Sequence, residues 1–236
     1  MGGLALFQQM DLIAAAIFLI SWLSFGFFTD GRALKRQSLT WLMNRERGRW
    51  METMTTRELR VIDTAILAGL QQGTAFFAST SVFAIGGCFA LMNASEQVMN
   101  VFQDLPVALP SSRTMFEVKL IALLLLYAYA FFKFGWSYRL QNYCTILVGA
   151  VPLVLNGEQP DEKVKAAAKK ALRFNCLAGK HFNSGLRAMF FSIGFMGWFA
   201  GPAVFIFSTI FILFVLIRRQ FFSRARACLI EPAVGA

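Results

Sequence analysis

The sequence predicts an all-α fold, a polytopic transmembrane helical bundle with amphipathic helices on its cytoplasmic surface. Apolar residues make up 57% of the 236 residues and charged residues only 15%, which is more apolar and less charged than a typical soluble domain. The 23 Lys and Arg residues, against 13 Asp and Glu, fall between apolar runs, as in polytopic membrane proteins. We therefore expect one integral membrane domain over residues 1–236. Nucleic-acid binding is excluded, because it requires cations gathered on a folded face.

The amino-terminal part predicts a first span and then a cationic surface segment. Residues 9–29 form an apolar run that no Lys or Arg precedes, so it lacks the basic start of a signal peptide and is expected to stay as a span. Residues 31–55 mix cations with Trp, Leu and Met, a pattern typical of a helix in the headgroup layer facing anionic lipids. A plain cytosolic loop is the alternative for this segment.

The middle of the chain predicts two further spans, at residues 61–92 and 115–138. Capping boxes, Thr55 with Glu58 and Thr114 with Glu117, are expected to begin their helices. In the second span, Gly69 and Gly73 are spaced for close packing against another helix. Residues 144–155 are apolar but short and contain a proline, so an interfacial or re-entrant piece is expected. Residues 160–179 predict an amphipathic cytoplasmic helix with its acidic residues at the positive end of the dipole.

The last third decides the predicted topology. Thirty residues between Arg187 and Arg218 carry no formal charge, with Gly201–Pro202 near their middle. Two spans, 183–200 and 202–222, would place 21 of the 23 cations on one side, as the positive-inside rule demands. Five spans are therefore favoured, with the amino terminus outside and the carboxy terminus in the cytoplasm of a bacterial inner membrane. The alternative is four spans, in which one tilted, kinked helix leaves the basic tail outside.

Several motifs resemble a known family. Residues 132–139 (FKFGWSYR) with Asn142 and Tyr143, and residues 181–187 (HFNSGLR), resemble two signatures of an uncharacterised family of bacterial and plant membrane proteins, the domain of unknown function five-nine-nine. Residues 60–64, 76–80 and 218–224 are similar to further family segments, although the family pattern usually has an acid where Gln220 stands. The resemblance covers nearly the whole chain. It implies a multi-span membrane protein of about this size and no particular activity.

Polar residues near the cytoplasmic span ends are the candidate functional set. They are Asp63, Gln71, Gln72, Lys133, Arg139, Asn142, His181, Asn183 and Arg187. Charged groups in or near a bilayer are costly and therefore tend to pair or to line water. We expect Asp63 to form an ion pair with Arg139 or Arg187 that fixes the helix register at the inner interface.

The expected function is non-catalytic: an accessory, assembly or scaffold subunit that packs against a larger membrane complex or against a second copy. The alternative is a small-solute or proton transporter with a cytoplasm-facing polar vestibule, in which Asp63 and His181 titrate. That hypothesis is weakened because the membrane core beyond Gln72 shows no acid, base or amide. The expected partners are membrane lipids, anionic ones included, and other membrane subunits, with no nucleic acid.

No cofactor or metal is expected. The only histidine is His181, and the four cysteines, Cys88, Cys144, Cys176 and Cys228, lie far apart, without the spacing of a zinc or iron–sulfur site. No motif of a hydrolase, a metalloprotease or a phosphate-binding loop occurs, so we expect the chain not to be an enzyme. A lesser alternative is a membrane subunit that binds one pigment or haem at His181.

Overall fold

The computed structural model describes residues 9–30, 38–98, 112–154 and 159–230, which contain helices and no strand. The helices are α1 (Gln9–Asp30), α2 (Leu39–Thr55), α3 (Val61–Asn93), α4 (Arg113–Gly149), α5 (Glu162–Ala200), α6 (Pro202–Phe221) and α7 (Arg224–Ile230). The predicted all-α helical bundle is thus confirmed. Within the described residues, four stretches are long and apolar enough to cross a membrane: Gln9–Thr29, Val61–Asn93, Arg113–Gly149 and Pro202–Ile230.

The fifth predicted span, residues 183–200, is not among these four stretches. It is the second half of α5, where Asn183, Arg187 and three glycines lower the mean hydropathy. This half lies antiparallel to α6, and the two helices meet at Gly201–Pro202, where Gly201 has a φ of 130°. The chain therefore reverses direction there, and the single kinked helix is wrong. That residues 183–200 cross the membrane stays a prediction.

The α5–α6 contact depends on small residues. A Cβ added at Gly194 would lie 3.3 Å from the carbonyl oxygen of Ser208, and one at Gly197 would lie 3.0 Å from that of Val204. The Ser208 hydroxyl donates a hydrogen bond to the carbonyl oxygen of Gly194 at 2.6 Å. The glycines thus let the two backbones approach closely, as membrane helix pairs commonly do.

Two hydrophobic cores lie along the bundle. The larger core joins α1, α3, α4, α5 and α6 and is rich in buried phenylalanines. The smaller core joins Met51 and Met54 of α2 to Leu67, Val148 and Val164 of the three neighbouring helices. We call the end of the bundle at the smaller core, where α2 and α7 also lie, the basic end. The opposite end, where α4 begins and α5 meets α6, is the far end.

The cationic segment before α3 contains a helix along residues 39–55, so the plain loop is wrong for that part. Its remaining residues, 31–37, lie outside the described ranges. Leu42, Met51 and Met54 are buried against the protein. Because its apolar face meets other helices of this chain, α2 packs as part of the bundle, and contact of its remaining face with lipid stays a prediction.

Helix boundaries differ from prediction in the middle of the chain. Thr55 ends α2 and donates to the carbonyl of Glu52, so the first capping box is wrong. Ser112, not Thr114, caps α4 by accepting from the Met115 N–H at 3.3 Å. The Asp161 side chain caps α5 by accepting a hydrogen bond from the Val164 N–H at 2.8 Å, which agrees with the acidic start predicted for this helix.

The α4 and α5 helices are also longer than expected. Residues 144–149 continue α4, because Cys144 and Val148 are buried in the smaller core, so a separate re-entrant piece is wrong there. Likewise, the amphipathic segment of residues 160–179 and the stretch 183–200 belong to one helix of 39 residues. At about 1.5 Å per residue, both helices exceed the roughly 30 Å hydrocarbon layer.

Candidate functional site

The residues predicted to form one polar cluster lie at several separate places. They are Asp63, Gln71, Gln72, Lys133, Arg139, Asn142, His181, Asn183 and Arg187. Gln71 donates a hydrogen bond to Asn142, and Asn183 and Arg187 line a common pocket. The described contacts do not join all nine side chains into one cluster at the basic end.

Asp63 lies in the first turn of α3 and is completely buried. Its Oδ1 accepts a hydrogen bond from the Trp50 indole at 2.7 Å and pairs with the Arg57 guanidinium at 2.6 Å. The predicted partners, Arg139 and Arg187, are wrong, because the short α2–α3 turn brings Arg57 to Asp63 with little loss of chain entropy. The start of α3 also favours a carboxylate through the helix dipole.

Arg60, in the same turn, reaches the end of α4. Its Nη1 donates to the carbonyl oxygen of Val148 at 3.1 Å and to that of Val151, and its Nη2 donates to that of Pro152 at 2.9 Å. A cation at the carbonyl groups of a helix carboxy terminus complements the negative end of the helix dipole. The α2–α3 turn thus ties three helices together at the basic end.

The α3–α4 interface holds a ladder of amides. The Gln71 amide donates to Asn142 at 2.9 Å and to the Thr145 hydroxyl at 3.1 Å. One turn further, Thr74 and Gln141 exchange hydrogen bonds. Side-chain amides without a hydrogen-bond partner would be costly in contact with lipid, and these bonds satisfy them inside the bundle. The predicted polar residue Asn142 therefore has a structural partner.

Other predicted residues face the outside of this bundle. Gln72 is exposed, and nothing lies within 4 Å of a Cβ built at Gly69 or Gly73. The predicted packing residues Gly69 and Gly73 therefore meet no helix within the described part of the chain. We call this side of α3, with Gln72, the open α3 face.

The remaining predicted residues contact aromatic rings. Lys133 Nζ lies 5.1 Å from the centre of the Tyr129 ring, and Arg139 donates to the Tyr143 hydroxyl at 2.7 Å. The His181 ring lies edge-on to Trp136 at 6.4 Å. A lysine or arginine held on an aromatic face gains a cation–π contact, and none of these arrangements is specific to catalysis.

A pocket of about 250 Å³ at the basic end contains the other two predicted residues. It lies between α1, α2, α5 and α6, and its polar lining includes Asn183, Arg187, Arg219 and Gln220. Arg187 donates to the hydroxyls of Thr29 and Ser184, each at 2.9 Å. We call this cavity the basic-end pocket.

A buried polar group at the far end was not anticipated. Lys119 Nζ donates to the carbonyl oxygen of Trp198 at 2.9 Å and lies 4.0 Å from Asp11. The Trp198 indole donates to the same Asp11 oxygen at 2.6 Å. Asp11 and Lys119 are nearly fully buried, so this trio joins α1, α4 and α5 by charge and hydrogen bonding. The trio lies at the end of the bundle beyond Gln72, and its place relative to the membrane core stays a prediction.

An aromatic layer lies between the far-end trio and the basic end. Phe18 contacts Phe191, Phe195 and Phe205 with ring centres 5.2–5.7 Å apart, and all four are buried. Rings packed at these distances fill the interior efficiently. A solute crossing through the bundle would have to displace this layer.

The described residues include no group of three or more His, Cys, Asp and Glu side chains that could hold a metal ion. Comparison with known proteins identifies a family. The family model described as "Protein of unknown function, DUF599" covers residues 13–225 of the chain. No curated protein and no solved structure matches the chain.

Proposed function

The chain belongs to the DUF599 family, and we propose from this premise that this membrane protein is non-catalytic. It serves as an accessory, assembly or scaffold subunit that packs against a larger membrane complex or against a second copy. It resides in a bacterial inner membrane with its basic end toward the cytoplasm. The open α3 face is the observation that supports this proposal.

The packing of α3 is one-sided. Its buried residues are Asp63, Leu67, Thr74, Ser81 and Cys88, which are four or seven positions apart and therefore form one narrow stripe. Among the described helices, α3 has an extensive contact with α4 alone. A 33-residue helix that uses one stripe leaves most of its circumference for lipid or for another protein.

The chemistry of the open α3 face suits a protein partner better than lipid alone. Membrane helices associate through close packing at small residues and through hydrogen bonds between polar side chains. Gly69 and Gly73 offer the close approach, and Gln72, which lies between them in the sequence, is exposed. Because an amide can both donate and accept, Gln72 can pair with a polar residue of a partner or with Gln72 of a second copy.

The double substitution G69L/G73L tests this proposal. We expect native mass spectrometry of the wild-type protein, extracted in mild detergent, to detect a homo-oligomer or a complex with a partner protein. Bulky side chains on the open α3 face should abolish that association without lowering the yield of folded protein. The matched control is Gly135→Leu, since Gly135 of α4 is also exposed and without neighbours within 4 Å. A wild-type protein that is monomeric and partnerless in mild detergent would contradict the proposal.

A further inference from the structure

The basic-end pocket is cationic, and it opens beside an apolar groove. Among the described residues that line the pocket, Arg187 and Arg219 are charged and none is acidic. The neutral lining includes Asn183, Gln220 and the hydroxyl of Thr40, all of which can donate hydrogen bonds. Cationic and neutral donors around one cavity fit an anion with several acceptor oxygens.

Contacts within the protein hold these side chains at the pocket wall. The Arg219 guanidinium lies over the Phe190 ring, 5.4 Å from its centre, and it forms no ion pair with any described residue. Gln220 donates to Thr40 at 2.8 Å, which joins α6 to α2 across the pocket. A guanidinium placed in this way presents a planar set of donors that matches phosphate oxygens.

An apolar groove lies next to the basic-end pocket. It measures about 560 Å³ and shares Phe25 with the basic-end pocket. The groove lies between α1 and α6 and is lined mainly by Phe28, Leu213, Ile217 and Phe221. A cationic pocket adjacent to an apolar groove along two candidate spans, with Phe25 in the wall of both, matches a molecule with an anionic head and a hydrocarbon tail.

We propose that these two cavities form a specific binding site for an anionic phospholipid. Its phosphate lies in the basic-end pocket at Arg219, near Arg187, and one acyl chain lies in the groove between α1 and α6. The site differs from the general attraction of surface cations to anionic membranes, because it depends on one pocket. A free phosphate ion would share the head chemistry, but it would leave the adjoining groove without a role. This inference does not depend on the proposed scaffold function.

The test compares two adjacent arginines in the full-length protein. Both arginines are exposed, but Arg219 lines the basic-end pocket and Arg218 does not. Binding of phosphatidylglycerol, phosphatidylcholine and inorganic phosphate to detergent-purified protein would be measured by native mass spectrometry and by the shift in Tm. We expect phosphatidylglycerol to bind best and R219Q to weaken its binding about tenfold, since a charge-assisted hydrogen bond is lost. R218Q should change binding by less than about twofold, as expected of a surface charge that lies outside the pocket lining.

A third variant separates a lipid from a free anion. Ser24→Phe introduces a ring into the apolar groove, which Ser24 lines, without altering the lining of the basic-end pocket. We expect it to weaken phosphatidylglycerol binding while inorganic phosphate binding stays as in the wild type.

Equal effects of R219Q and R218Q, or equal binding of phosphatidylcholine, would overturn the proposal. Inorganic phosphate that raises Tm as much as the lipid would overturn the assignment to a phospholipid. Because none of these variants alters the open α3 face, their failure would leave the scaffold proposal intact.

Discussion

Lys119 and Asp11 place opposite charges inside the far end of the bundle, where their side chains are only 6% and 7% exposed. The Trp198 indole and carbonyl group join them through hydrogen bonds of 2.6 and 2.9 Å. Removing one member of a buried pair leaves the other charge uncompensated, which typically costs about 3–5 kcal/mol. This trio is therefore expected to be the most sensitive polar element of the described structure.

We predict that Lys119→Met lowers the free energy of unfolding by about 3 kcal/mol, because Asp11 then remains buried and charged. The double variant D11N/K119M should recover part of this loss, since the introduced asparagine still accepts from Trp198 and carries no charge. Unfolding in mixed micelles by titration with dodecyl sulfate would measure both values. Additive losses in the double variant would show that the two charges are not coupled.

The charge partners were the part of the candidate site that the sequence predicted least well. Asp11 and Trp198 are 187 positions apart, and each alone is an ordinary residue near the end of an apolar run. Asp63 was identified as an important charge, but its partner Arg57 is local rather than a distant arginine. The free-energy cost of placing a charge in or near a bilayer indicates which groups need a partner. Which residue becomes that partner depends on helix orientations, and composition does not encode these.

The turn between α5 and α6 is the critical element of the last third. Gly201 has a φ of 130° and a ψ of 164°, a region that only glycine adopts at low cost. Pro202 follows at the first position of α6, where its fixed φ and missing N–H favour the start of a helix. Together these two residues end α5 and begin α6 directly after it, so that the two helices pack antiparallel.

We predict that Gly201→Ala destabilises the protein by about 1–3 kcal/mol, because alanine is strained at this backbone conformation. Gly135→Ala is the control, since Gly135 lies within α4 with nothing near its Cβ. That control should be neutral or stabilising by up to about 1 kcal/mol through its helix propensity. The same dodecyl sulfate titration measures both, and equal effects of the two substitutions would contradict the role of the turn.

Element positions were predictable where the apolar pattern is strong. The bounds of α1, α3 and α6 agree with the predicted spans to within a residue or two, because each apolar run has clear flanking residues. The carboxy-terminal end of α4 was not predicted, since Cys144 and Val148 are buried by another part of this chain rather than by lipid. That residues 160–179 and 183–200 belong to one helix was not predicted either. Sequence periodicity shows an apolar face and does not distinguish what covers it.

At the scale of the whole molecule, the ends of the described chain fall on opposite ends of the bundle. Gln9 begins α1 at the far end, and α7, which contacts α2 through a hydrogen bond from Arg45 to Leu229, lies at the basic end. If 183–200 crosses the membrane, this arrangement becomes a five-span topology. The positive-inside rule then predicts the basic end in the cytoplasm.

Labelling of single cysteines with a membrane-impermeant maleimide would test this topology in bacterial spheroplasts. Cys228 is the exposed native thiol of α7, and Gln9→Cys and Glu96→Cys introduce probes at the far end, each in a background without the other cysteines. We expect Q9C and E96C to react in intact spheroplasts, and Cys228 to react only after permeabilisation. Because Gln9 and Glu96 lie at the same end of the bundle, unequal labelling of these two would contradict the helix arrangement itself. Labelling of Cys228 in intact spheroplasts would instead contradict the predicted orientation, since the basic end would then face outward against the charge bias of the chain.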